Sequence, residues 1–262
     1  MTEPAAPPRR ARLWEIDLLR TAAIVMMVVY HLVYDIRFLA PDVAPNPYDG
    51  GWRALQIACA STFLTVVGLS FWVRDARLRA RGVDARERWR SGVPRGLQVA
   101  AGALAVSVAT GIALGDELVR FGILHLIAVA HLVVLPGLVG LRHWNAVLGV
   151  AAVAAGLALQ GTSSAQSALM VIGLDPGETG VDWVPLLPWI GPCLLGVAFG
   201  ALLYPGGERR ALLRGLGDGS PRAHAAGAPG RRSLTIYLVH QPILIALVAG
   251  ALVATGTPLD PR

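Results

Sequence analysis

Residues 14–36, WEIDLLRTAAIVMMVVYHLVYDI, carry Asp17, Arg20, His31 and Asp35 inside an apolar run long enough to cross a bilayer. One ionisable side chain at the bilayer centre costs ~3 kcal/mol on insertion scales, so a segment with several turns them toward protein or a wet cavity. On a helix Asp17 and Arg20 are spaced i, i+3 and His31 and Asp35 are spaced i, i+4, so each pair is in reach. Arg20 and His31 return to within ~20° of one face and lie ~16 Å apart along the axis. A planar guanidinium binds phosphate oxygens bidentately. A histidine beside a carboxylate suits general base chemistry. The pattern predicts one wall of a polar path running from the inner rim of the membrane toward its outer half.

Other intramembrane histidines extend the set. His125 stands near the outer end of a later apolar segment, and His240 in the inner half of the last one, before Gln241 and Pro242. His131 falls off the face of His125 and reads as packing. Metal chemistry needs three or four converging ligands. No H-x-x-x-H or E-x-x-H pair supplies them, so no metal is expected. No serine has the surroundings of a nucleophile elbow. Cys59 and Cys193 fall inside apolar runs and read as small packing residues, not as a disulfide.

The elements that position these residues are membrane helices. The 262-residue chain is 54% hydrophobic and only 15% charged, too apolar to cover itself as a soluble domain. Every basic residue is arginine, which excludes lysine-based covalent chemistry. About seven spans are expected, at 15–37, 53–73, 94–114, 119–140, 144–160, 184–204 and 232–255, each near the ~20 residues that cross the hydrocarbon. The expected class is an all-α polytopic bundle: a tail over 1–13, one transmembrane domain over 14–256, and a short tail over 257–262. Loop 74–93 holds Arg74, Arg77, Arg79, Arg81, Arg86, Arg88 and Arg90, and loop 205–231 holds Arg209, Arg210, Arg214, Arg222 and Arg231. Loop 161–183 has no arginine but has Asp175, Glu178 and Asp182. The positive-inside rule then gives a cytoplasmic N-terminus and an outer C-terminus. Loop 205–231 reads as a flexible connector without a phosphate-loop ending. Basic charge with no DNA-binding motif does not point to nucleic acid.

Three segments carry a family resemblance: E-I-D-L-L-R-(x10)-H-L-V-Y-D in the first span, R-F-G-I-L-H-L-I in the fourth, and R-R-S-L-T-I-Y-L-V-H-Q-P-I-L in the last, with D-W-V-P-L-L-P-W before the sixth. Together they resemble bacterial members of the heparan-alpha-glucosaminide N-acetyltransferase catalytic-domain family, a group of transmembrane acyltransferases. The resemblance implies an acyl-CoA donor, such as acetyl-CoA, bound from the cytoplasm. It also implies an extracytoplasmic glycan or glycolipid acceptor, acylated on a sugar amine or hydroxyl. Asp17 and Arg20 match the family's D-x-x-R, and Tyr237 and His240 match its S-x-x-x-Y-x-x-H. His31 stands where related surface-polysaccharide acyltransferases carry a reactive histidine. The first outer loop, RFLAPDVAPNPYDGG, has no histidine where the lysosomal enzyme carries its active one.

The expected function is therefore acyl transfer in the bacterial cytoplasmic membrane. Asp17, Arg20, Arg231, Arg232 and Tyr237 are the coenzyme-side residues, with Arg20 and the inner-loop arginines on the phosphates. His31, oriented by Asp35, is the base, His125 its hydrogen-bond partner, and His240 the group on the thioester side. Two other readings fit the same residues: a proton-coupled carrier, and a non-catalytic protein on the same scaffold.

Overall fold

The computed structural model describes residues 12–177 and 180–260. The expected tail over 1–13 lies outside these apart from Arg12 and Leu13, as do Glu178 and the last two residues of the chain. The main helices are α1 (Trp14–Leu39), α2 (Gly50–Arg79), α3 (Val93–Leu114), α4 (Ile123–Val129, continued by further helical turns to Trp144), α5 (Asn145–Ala158), α6 (Leu186–Leu203) and α7 (Ser233–Ala254). A short helix, Ala85–Arg90, begins with an Asp84 side chain that accepts from the Glu87 amide.

By length and apolarity six segments qualify as membrane spans, so this is an all-helical integral membrane protein. The expected fourth and fifth spans are the two arms of one such segment, Ile123–Ala158. The chain turns back at Arg142, whose φ is 52°. Asn145 Nδ2 donates to the carbonyls of Leu138 at 2.9 Å and Arg142 at 3.0 Å, which holds the turn. One left-handed residue and one buried asparagine create the reversal expected between the fourth and fifth spans.

Helix α6 packs between α2 and α5. Its Cys193 and Val197 are fully buried, and glycines let neighbouring backbones approach. A Cβ at Gly68 of α2 would collide with the Cys193 carbonyl, and one at Gly196 with the Thr65 carbonyl. Gly149 of α5 brings its Cα beside the Gly191 carbonyl, 2.9 Å from where a Cβ would lie. Without a hydrophobic driving force between helices in lipid, such small-residue contacts supply the packing. Both cysteines are free and buried, as the apolar surroundings imply.

Helices α1 and α7 run parallel and form the wall that matters for chemistry. The connector 205–231 is not a loose loop: it carries short helices at Ala211–Arg214, Pro221–Ala226 and Ala228–Arg231. Arg209 bonds Glu15 through two nitrogens at 2.8 and 2.6 Å, and the Gly230 amide donates to Thr21 Oγ1 at 3.0 Å. Gly230 packs on the Asp17 carbonyl where any side chain would collide. Because the connector docks along the first turns of α1, α7 starts well above the start of α1.

Candidate active site

Two polar regions occupy opposite ends of α1. At its N-terminal end, a cavity of about 630 Å³ is lined by Arg12, Arg20, Arg74, Arg77 and Arg81, together with Asp17, Ser70 and Ser91. Asp17 is 4% exposed and holds Arg12 at 2.6 Å and Arg20 at 2.7 Å. Arg20 Nη2 also donates to Ser70 Oγ at 2.5 Å, tying α1 to α2. Two carboxylates meet these five arginines, Asp17 and, 3.6 Å from Arg77, Glu208, and the remaining excess of guanidinium suits a polyanion. Not every arginine of the 74–93 stretch joins in. Arg79 and Arg88 turn to the buried Asp75 at 2.6 and 2.7 Å instead.

Nearer the C-terminal end of α1, His31 and His240 meet with ring centroids 4.9 Å apart, edge to face. The sequence places His240 in the inner half of its helix and His31 in the outer half of α1. They meet because the late start of α7 brings its second turn level with the later turns of α1. His240 Nδ1 lies 2.6 Å from the Tyr237 carbonyl. That oxygen only accepts, so the neutral ring carries its proton on Nδ1 and presents Nε2 as an acceptor. Pro242 follows at once and has no N–H to give the Leu238 carbonyl.

Asp35 is fully buried, and it does not pair with His31 as its spacing suggests. Its Oδ1 accepts from Gln241 Nε2 at 2.5 Å, which locks α7 to α1 beside the two imidazoles. Five buried polar atoms gather here with no hydrogen-bond partner among the described residues: Tyr30 Oη, His31 Nδ1, Asp35 Oδ2, His240 Nε2 and Gln241 Oε1. Each unsatisfied group costs about 1–3 kcal/mol. These five atoms lie on facing turns of α1 and α7 and make this the polar part of that wall.

A third component comes from the loops. Val181 and Val184 donate to the carbonyls of Glu117 and Phe121 at 3.1 and 2.9 Å, which pairs the two loops at the start of α4. Asp182, with φ of 53°, turns its carboxylate toward the first amides of α4. Tyr237 Oη donates to Asp182 Oδ2 at 3.3 Å, one turn of α7 from His240. Asp182 keeps contact with solvent but is surrounded by protein, and this desolvation pushes its carboxyl up to about 6, against the opposing bonds from Ile123 and Tyr237.

Residues 12–242 match the family model for the catalytic domain of heparan-alpha-glucosaminide N-acetyltransferase. The chain belongs to that family. No curated protein and no solved structure gave a match.

The matched region of this N-acetyltransferase-family chain contains every residue singled out from the sequence, and the structure sorts them. Asp17 and Arg20 line the arginine cavity. Arg231 and Arg232 do not line it; Arg231 Nη1 bonds the His224 carbonyl at 2.8 Å. Tyr237 stands with Asp182 and His240, away from the arginines. His125 is not a partner of His31. Its Nδ1 accepts from the Gly122 amide at 3.2 Å and its Nε2 lies 3.3 Å from Ser107 Oγ, so both nitrogens serve the junction of α3 and α4. His131, in the turn after α4, packs edge-on to Phe71 of α2 at 5.2 Å, as a packing residue does. Sequence reasoning missed Tyr30, Gln241 and Asp182. The signal for Asp182 was its place at the head of D-W-V-P-L-L-P-W, and for Gln241 its place between His240 and Pro242.

Proposed function

We propose that this chain transfers an acetyl group from acetyl-CoA to the amine or hydroxyl of a sugar across a bacterial cytoplasmic membrane. The arginine cavity faces the cytoplasm, with the N-terminus on that side and the C-terminus outside, in keeping with the arginine-rich connectors at that end. Arg20, with Arg12, Arg74, Arg77 and Arg81, takes the phosphates of the coenzyme. One observation carries the reading: a single helix, α1, presents a guanidinium cavity at one end and, near the other, a half-buried imidazole that meets the buried His240. Arg20 and His31 are separated by ~16 Å of helix rise. A flexible pantetheine arm between phosphates and thioester bridges such a separation.

His31 removes the proton from the acceptor nitrogen or oxygen as that atom's lone pair attacks the thioester carbonyl. The C–S bond of the tetrahedral intermediate then breaks, and the thiolate leaves. The same proton passes to His240 Nε2 and on to the thiolate, so the transfer is neutral overall. Asp35 positions Gln241 and through it the His240 turn. Tyr30 Oη and Gln241 Nε2 are the neighbouring donors for the developing oxyanion. His125 supports the junction of α3 and α4 and takes no proton.

The test is transfer of labelled acetyl from acetyl-CoA to glucosamine by purified protein. The expected outcome is turnover by wild type and a loss of at least about a hundredfold in His31→Ala, the scale of general base catalysis. Wild-type turnover by His31→Ala overturns the assignment.

A further inference from the structure

The C-terminal turn of α1 and the loop after it enclose a second recess of about 210 Å³, lined by Tyr34, Arg37, Phe38, Pro41, Pro47 and Tyr48. Its walls are held in place. Arg37 Nη1 donates to the Pro41 carbonyl and, at 3.5 Å, to that of Ala44, which folds the loop back over the helix end. Pro47 is fully buried. Tyr34 and Phe38 lie one turn apart with ring planes within 6°, and Tyr48 stands perpendicular to Tyr34 with centroids 6.3 Å apart. Tyr48 is 54% exposed, an aromatic ring offered to solvent rather than spent on the core.

The recess and the imidazole pair share one wall, Tyr34. Tyr34 contacts His31 edge-on, with centroids 6.0 Å apart. A ligand resting on Tyr34 and Tyr48 therefore lies one side chain from His31. Its volume is below the ~300–1,000 Å³ of drug-sized pockets, so it holds one ring and not a chain segment. Aromatic faces carry partial negative charge, which complements the C–H faces of a sugar ring. Arg37 is exposed, and only its Nη1 is committed to the backbone, leaving guanidinium donors on the rim. Asp42 and Asp49 belong to the same loop but do not line the recess, and Asp49 is bonded by Asn46 Nδ2 at 2.6 Å.

We propose that this recess is the acceptor subsite and takes a single pyranose ring bearing an anionic substituent, with Tyr34 and Tyr48 on the ring and Arg37 on the anion. The proposal rests on the acyl-transfer reading, whose own signature is binding of coenzyme A at the other end of α1.

Saturation-transfer NMR on the detergent-purified full chain, with glucose, glucosamine and glucuronate as probes, tests it beside a separate coenzyme A titration. Glucuronate is expected to give the strongest saturation of ring protons. Tyr48→Ala weakens it roughly two- to tenfold, the worth of one aromatic contact, while Tyr48→Phe retains it. Arg37→Gln removes the preference of glucuronate over glucose. No saturation by any sugar in a protein that binds coenzyme A overturns the subsite. So does displacement of glucuronate by equimolar sn-glycerol 3-phosphate, which marks a lipid-headgroup site. Sugar binding without coenzyme A binding leaves a sugar site but overturns acyl transfer and, with it, the acceptor role.

Discussion

Arg20 is the residue at which the donor half of the mechanism is most exposed to measurement. It sits in the cavity of about 630 Å³ with one nitrogen on Asp17 at 2.7 Å and another on Ser70 at 2.5 Å, so its guanidinium is held in one orientation. Arg20→Gln removes a charge-assisted contact to a phosphate, worth about 1.5–3 kcal/mol. At 1.4 kcal/mol per tenfold, that predicts coenzyme A binding weaker by roughly 10- to 150-fold. The lower end is the better expectation, because Asp17 already offsets part of the charge and four other arginines line the cavity. Asp17 keeps its Arg12 partner at 2.6 Å, so the variant is not left with an unpaired buried carboxylate. Isothermal titration calorimetry of coenzyme A into purified protein gives the ratio directly. The weakening shrinks as salt is raised, because phosphate–arginine attraction is screened. Equal affinity in wild type and Arg20→Gln refutes the placement of the phosphates in this cavity.

Further outcomes follow from other parts of the fold. Asp182→Asn removes a carboxyl raised to about 6 by burial; the neutral form stabilises the fold fully below about 3.8 and this is lost as pH rises through about 6, so melting temperature falls over that window in wild type and not in the variant. His125→Phe strands the Gly122 amide, while the Ser107 hydroxyl keeps its bond to the Val119 carbonyl, and it lowers thermal stability by about 1–3 kcal/mol while acetyl transfer per folded molecule is unchanged. Gly196→Ala drives a Cβ into the Thr65 carbonyl between α2 and α6, destabilising by about 1–3 kcal/mol in a thermal melt, whereas Gly137→Ala, with open space around it, changes little.

The helices were legible because bilayer length and apolarity leave few alternatives. Asp17 and Arg20 were legible too, since an i, i+3 pair at the end of an apolar run has one plausible fate. The reversal at Arg142 was legible as two helices, but not as one apolar segment bent by a left-handed residue. The meeting of His31 and His240 was hidden for a different reason. Depth read from sequence assumes that each helix starts at the membrane edge, and the connector packed on Asp17 and Thr21 moves the start of α7. Asp35 misled because helical spacing shows which residues are in reach, not which partner wins; Gln241 from another helix took its Oδ1. Asp182 was invisible as a site residue because nothing in a loop's composition tells that it folds inward to Tyr237.

Labelled acetyl transfer in sealed proteoliposomes tests the central claim most directly, with acetyl-CoA supplied only at the arginine face and glucosamine only at the other. Labelled N-acetylglucosamine should accumulate on the acceptor side with wild-type protein and fail to do so with His31→Ala. Wild-type protein that forms no product across the bilayer, or a His31→Ala variant that forms it at the same rate, contradicts the account.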